Sequence, residues 1–366
     1  MIPFFITHVS PQAPSLVAET LQGGRLSEGE LVRTFEKAVE SLVRIQGAVA
    51  VNSGTSALHL GLVCGGIGPG DEVILPAQTF IASGMAILQT GAKAVFADID
   101  VRTGNLDVAS VRAKITPRTR AILPVHWAGY PCELDELHRV AEAHGLWLIE
   151  DAAHALGATY RGRPVGAISR FTTFSFQAIK HITTGDGGLL VCADPDDASM
   201  AARRRWFGID RADSPMSQEG ERQYDVGEVG FKYHLNDYAA ALGLANLPDL
   251  PGILSRRRTI ADQYRRAFVS VPGISLLDYQ DDRDCAWWLF TFRVERRLDF
   301  IQSLRAKGIP ASVVHQGIHH NAVFGQQQAD LPGQQLFDAT QVSIPVHEQL
   351  TDDHVEQIIA AVREGW

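Results

Sequence analysis

Cysteine is scarce in this chain. It has four, Cys64, Cys132, Cys192 and Cys285, in 366 residues, with no paired spacing. That usage excludes a disulfide or zinc framework and matches reduced thiols in a cytoplasmic protein. Long hydrophobic runs are missing as well. No apolar stretch approaches the roughly 20 residues that a membrane helix needs. The opening "MIPFFITHVS" lacks both the basic lead and the long apolar core of a signal peptide. Excess positive charge is absent too. The 33 Lys and Arg against 42 Asp and Glu give a formal net charge of −9, which argues against a nucleic-acid backbone as main partner. Neither an internal repeat nor a low-complexity tract occurs.

What remains is an ordinary globular composition, 45% hydrophobic and 20% charged, in a chain long enough for two domains with sizeable cores. From about residue 47 to 195, short apolar runs alternate with helical patterns. "GAVAVNS", "DEVILPA", "AKAVFADI", "RAILPV" and "LWLIED" read as buried strands of β-branched and aliphatic residues. "TSALHLGLVCG" follows the first with Leu58 and Leu62 one helical turn apart. "ELDELHRVAEAHG" places Leu134, Leu137 and Ala141 on one face and closes on Gly145. Strands alternating with helices predict an α/β fold with a mostly parallel sheet covered on both faces. After "YAAALGLANL" the character changes: "SRRRTIADQYRRAF" is an amphipathic helix, and "WWLFTFRV" with "LDFIQSLRAKGI" indicates a smaller α+β domain running to the C-terminus. The boundary falls between 1–245 and 246–366, with N-terminal residues able to pack on the small domain. The polar stretch 210–228 reads as a mobile loop.

In open parallel sheets, ligands bind beyond the carboxyl ends of the strands. Three unusual polar sites fall there. In "NSGTSAL", Gly54 makes a turn and Thr55 and Ser56 open a helix, where free amides and the positive dipole end suit a phosphate. A plain N-cap explains the same residues. In "IEDAAHALGA", Asp151 leaves a buried strand and His154 lies one helical turn later, so both can face one ligand, or Asp151 can simply cap a helix. In "FSFQAIKHITTGDGG", residues 174–188, Ser175 sits near a strand end and Lys180 five residues on, beside a stretch of small residues expected to be loose. A P-loop reading fails, since no Lys-Ser/Thr pair opens a helix there. Together the three sites supply what pyridoxal phosphate needs: a lysine amine, a buried carboxylate for the pyridinium nitrogen, and hydroxyls with helix amides for the phosphate. Phe80, just past a strand end in "PAQTFIAS", is available to cover the ring or to fill the core.

The sequence resembles the DegT/DnrJ/EryC1/StrS sugar aminotransferases. The resemblance runs through "GGRLSEGELVRTFE", "VNSGTSALHLGL", "GDEVILPAQTFIAS", "PVHWAGYPCELDEL", "LIEDAAHALGATYRGRPVG", "FSFQAIKHITTGDGG", "GFKYHLNDYAAALGLANL" and "VSIPVHEQL". It implies the fold-type-I architecture of the aspartate-aminotransferase superfamily, with a mostly parallel seven-stranded sheet in the large domain. It also implies roles. Lys180 is the Schiff-base lysine, and Asp151 partners the pyridine nitrogen. His154 lies by the phenolic oxygen, Ser175, Thr55 and Ser56 hold the phosphate, and Phe80 stacks on the ring. The family works as a homodimer with shared sites, and the segment matching "GFKYHLND" lends an asparagine to the neighbour's phosphate. Lys232 and His234 stand there instead, so Lys232 becomes the candidate contact from the partner chain. "VVHQGIHHN" resembles the block that places a histidine near the sugar, pointing to His319. A branch that replaces the lysine with histidine dehydrates its substrate; Lys180, followed by His181, favours transamination.

The implied activity is transfer of an amino group, from glutamate, to the keto group of a nucleotide-linked sugar. "PVHWAGYPC" looks more like the branch acting at C4 of 4-keto-6-deoxy sugars than the 3-keto branch. The alternatives are a cyclitol or aminohydroxybenzoate-type transaminase of the same family, or a non-catalytic PLP-binding regulator.

Overall fold

The computed structural model describes residues 2–211, 214–325 and 330–366. The five aliphatic runs form strands β1 (Ala48–Val51), β2 (Glu72–Pro76), β3 (Lys93–Ala97), β4 (Thr119–Ile122) and β5 (Trp147–Asp151), and one sheet joins them to β6 (Phe171–Ser175) and β7 (Gly188–Cys192). They lie side by side in the order β1-β7-β6-β5-β4-β2-β3. Only β7 runs against its neighbours, and every other pairing is parallel. Because side chains alternate across a strand, successive residues feed two cores. Val49, Val51, Val73, Leu75, Ile149 and Leu190 pack into one, and Ala50, Ile74, Leu148, Leu189 and Val191 into the cores behind. Both faces are therefore dry, as near-continuous apolar strands require.

The small domain is built on an antiparallel sheet of β8 (Ile274–Leu276), β9 (Phe290–Val294) and β10 (Gln341–Ile344). Helices Leu250–Phe268, Arg297–Ala306 and Asp352–Arg363 contribute Tyr264, Phe300 and Ile358 to its core, which also takes in Ile2. The helix Leu250–Phe268 serves both domains. Leu250 and Ile253 pack with the large domain, while Ile260 through Phe268 pack with the small one. No helix among the described residues is long and apolar enough to cross a membrane. All four cysteines are free and buried.

Two expectations are corrected here. No helix follows Asp151: residues 152–158 run through turns closed by Gly157 at φ +80°. The "TTGDGG" stretch is tied down rather than loose. Thr183 and Thr184 are buried, and their hydroxyls donate to the carbonyls of Phe176 (3.0 Å) and Asp186 (3.0 Å). The apolar helix Asp237–Asn246 packs largely within its own chain. It lies against helices Ala13–Gln22 and Glu30–Val43, and small residues allow the close approach: a Cβ on Gly243 would sit 2.6 Å from the Phe35 ring. Of the polar stretch 210–228, residues 212 and 213 lie outside the described residues. The remainder forms a reverse turn bridged between Met216 and Arg222, with no regular element.

Candidate active site

A cavity of about 320 Å³ opens at the carboxyl ends of β2, β5 and β6. The strand–helix turns aim polar groups into it. Ser53 caps the helix Gly54–Cys64 by accepting from the amide of Ser56 at 3.0 Å. The first amides of that helix have no intrahelical partner and face the cavity with Gly54 and Thr55. Two glycines make the approach possible. A Cβ on Gly54 would stand 3.0 Å from Cβ of Ser175, and one on Gly188 would stand 2.4 Å from the Ser53 carbonyl oxygen. Ser175, the last residue of β6, is thereby held beside the helix N-terminus.

Asp151 ends β5 and is buried at the cavity wall. Its Oδ1 accepts from the Ala153 amide at 3.1 Å and its Oδ2 from Ser83 Oγ at 2.7 Å. Thr79 Oγ1 lies 2.6 Å from Ser83 Oγ and completes the relay by donating to it. The carboxylate is fixed and supplied with donors. Lys180, half-buried, enters from the turn after β6. Burial pushes its amine down to about 7, against the opposing pull of the Asp151 charge. At neutral pH a large share of this lysine is the free base, which makes it a nucleophile. Its Nζ lies 3.7 Å over the Trp288 ring, and His154 stacks on the same indole at 3.7 Å between centroids. Burial, with Lys180 nearby, keeps His154 far below its ordinary pKa, and its Nδ1 is buried without a partner. Phe80, 55% exposed, stands at the mouth with its ring 5.1 Å from His315, which burial and the Lys180 charge push down to about 4.

Seven of the residues singled out from sequence line this one cavity: Gly54, Thr55, Phe80, Asp151, His154, Ser175 and Lys180. Four others do not. Ser56 turns its hydroxyl to Asn52 Oδ1 at 2.7 Å. Lys232 sits 3.8 Å over the Trp206 ring, and His234 meets the same ring edge-on with Nε2 3.3 Å from Ser27 Oγ. His319 lies against Phe96 and His320, and the cavity histidine of that segment is His315, four residues earlier. Sequence reasoning also missed Trp288, Gln177 and Thr79 on the walls and Ser83 behind Asp151. His181 points away and makes a 2.8 Å hydrogen bond with the Ala286 carbonyl.

The pattern of the DegT/DnrJ/EryC1/StrS aminotransferase family matches residues 10–363. The chain belongs to that family. It is 38% identical to the spore coat polysaccharide biosynthesis protein SpsC of Bacillus subtilis, over 99% of this chain and 96% of that one. Identity to the GDP-perosamine synthase of Caulobacter vibrioides is 37%, over 92% and 90%. The sugar aminotransferase CalS13 from Micromonospora echinospora superposes with a TM-score of 0.95 at 35% identity, covering 100% of both chains. Spr1654 from Streptococcus pneumoniae, solved in a PLP form, gives 0.90 at 30% identity over 99% and 98%. The aminotransferase described here is thus a PLP-dependent enzyme of fold type I. The cavity fits that cofactor on its own chemistry. It offers helix amides with three hydroxyls for a phosphate, a fixed carboxylate for a ring N–H, and an unpartnered buried nitrogen on His154 for a ring oxygen.

Proposed function

We propose that this aminotransferase moves the amino group of L-glutamate to the keto group of a nucleotide-linked sugar, a 4-keto-6-deoxy sugar, in amino-sugar or polysaccharide biosynthesis. It does so as a cytoplasmic homodimer. The single observation that carries the reading is Lys180, an amine brought near neutral pKa in a cavity that also holds the fixed Asp151 carboxylate. The names of the relatives, a perosamine synthase and a spore-coat polysaccharide protein, support the substrate class.

Bound pyridoxal phosphate supplies an aldehyde for an amine to attack and an electron sink for the charge left when the donor loses its α-proton. The protein's part is positioning and proton transfer. With the cofactor bound, Lys180 would attack as the free base; once released, it would take the proton from the donor's α-carbon in one half-reaction and deliver a proton to the sugar carbon in the other. Asp151, held by Ser83 and the Ala153 amide, would accept the ring N–H and favour its cationic form. Ser53, Thr55, Ser175 and the helix N-terminus would hold the phosphate, and Phe80 would cover the ring from the mouth. His315 is neutral above about pH 4 and offers one donor and one acceptor to the sugar. Lys232 is exposed and lies beside the exposed Phe207, outside its own chain's cavity, which supports its reaching the phosphate site of a second copy.

Incubation with PLP, glutamate and a panel of UDP-, dTDP- and GDP-linked ketosugars, read by mass, tests the proposal. The expected products are an amino sugar from one nucleotide series together with 2-oxoglutarate. Amination of a cyclitol ketone but of no nucleotide sugar would overturn the substrate assignment.

A further inference from the structure

Trp288 comes from the small domain, just before β9, and is only 2% exposed. Its surroundings are unusual for a core aromatic. The indole carries the Lys180 ammonium over its ring at 3.7 Å and the parallel His154 ring at 3.7 Å. Phe5 stacks on it at 5.3 Å. Its Nε1–H donates to the carbonyl of Ile179, the residue preceding the lysine, at 3.0 Å. One side chain therefore touches the lysine amine, the lysine's own backbone and the neighbouring cavity histidine. None of these contacts is needed merely to fill space.

The electrostatics give the arrangement a purpose. Trp is the strongest of the aromatic faces for a cation. The other ionisable groups around Lys180 are Asp151, which attracts its charge, and His154, His181 and His315, which burial leaves neutral. An ammonium in this dry pocket has one carboxylate and one indole face to rest on. A lysine that works by alternately binding a cofactor and releasing it needs such a resting place within reach of the reacting atoms.

We propose that Trp288 is a positioning residue for Lys180: its ring seats the lysine amine whenever that amine is not linked to the cofactor, and its N–H fixes the turn from which the lysine springs. The inference rests on reading Lys180 as the cofactor lysine. It assigns the small domain a part in holding the nucleophile, besides covering the site.

The test uses the full-length enzyme freed of cofactor. Acylation of Lys180 by a water-soluble anhydride is followed by peptide mass across pH 5 to 10 in wild type, Trp288→Phe and Trp288→Leu. Loss of the indole face disfavours the ammonium, so at a fixed pH below the midpoint Trp288→Leu should react roughly 3- to 30-fold faster, and Trp288→Phe by a smaller factor in the same direction. A purely structural role predicts the opposite sign, because a void that admits water lets the lysine keep its proton to higher pH. Slower or unchanged acylation in both variants, or equal effects in the two, overturns the proposal. Should Trp288→Leu fail to fold, Trp288→Phe alone decides by the sign of its change. Borohydride trapping of the PLP-loaded wild type, with mass mapping of the labelled peptide, checks the underlying assignment separately. A label on another lysine removes that assignment while leaving the acylation result readable.

Discussion

Asp151 and Lys180 share a cavity, and two substitutions separate the roles proposed for them. Asp151→Asn keeps the shape and one of the two acceptor oxygens that serve Ser83 and the Ala153 amide, turns an NH2 to the other, and removes the charge. The expected outcome is a turnover loss of ~10²–10³, the scale of a lost electrostatic stabiliser, with PLP affinity reduced much less. Stopped-flow kinetics alongside a cofactor titration measure the two, and an unchanged rate would leave Asp151 a structural residue. Lys180→Met concerns stability. The folded state depresses the amine from 10.5 to about 7, so the unfolded chain binds more protons between those values. Stability of the cofactor-free wild type therefore rises with pH across that window. The methionine variant, free of the penalty, should be the more stable protein at pH 6.5, and its advantage should vanish above about pH 10.5. Urea midpoints at the two pH values give the comparison. An advantage that grows with pH would contradict a depressed lysine. A third buried group shows how local geometry fixes a proton. Burial opposes protonation of His126 and Glu150 favours it. The Cys132 amide decides, because it donates to Nδ1 at 3.0 Å and leaves the ring proton on Nε2, 2.7 Å from the Glu150 carboxylate.

Among the elements, the strands were the most legible from sequence. The five read from sequence are short aliphatic runs ended by a polar residue or Pro, and each strand ends close to where its pattern ends. The segment after Asp151 was not. "AAHALGA" has the composition of a helix, but the Ala152 amide is committed to the Thr173 carbonyl of β6 at 2.8 Å, so tertiary pairing overrides propensity. The cavity residues that sequence located all follow strand ends or open helices, places with a local signature. Trp288 and His315 have none. The first looks like any core aromatic in "WWLF", and the second shares its short irregular segment with His319 and His320, where no periodicity tells which ring turns inward. The β1–helix turn gives a prediction at this scale. Gly188→Ala drives a methyl into the Ser53 carbonyl and must push β7 or the helix cap aside. The expected cost is ~2–3 kcal/mol, the upper part of the ordinary range for single substitutions, accompanied by weaker PLP retention. Chemical denaturation and cofactor content of the purified variant test both. A normal cap with normal cofactor content would show that the close approach is dispensable.

At the scale of the whole molecule, Lys232 and His234 lie outside their own chain's cavity, beside Trp206. If a second copy receives them, mixing complements. A Lys180→Ala chain and a Lys232→Ala/His234→Ala chain, each poorly active alone, should on mixing form heterodimers that each recover up to about half the activity of a wild-type dimer, since each holds one intact site. Demonstrated subunit exchange with no recovery would assign each site to a single chain. The same scale explains why the cavity groups at strand ends were more legible in the sequence than the wall that faces them. That wall depends on distant segments meeting, and the pairing of Trp288 with His154 is visible only in three dimensions.

That meeting has a consequence in time. Lys180 and Asp151 hang from a sheet whose seven strands are complete by Cys192, whereas Trp288 and His315 are made about a hundred residues later. At bacterial-type synthesis rates of ~5–20 residues per second, the nascent large domain waits on the order of ten seconds for the far wall of its site. During that interval the lysine has neither the Trp288 indole nor the far wall beside it. The cavity is thus closed late in the birth of each chain, after the sheet that opens it is already made.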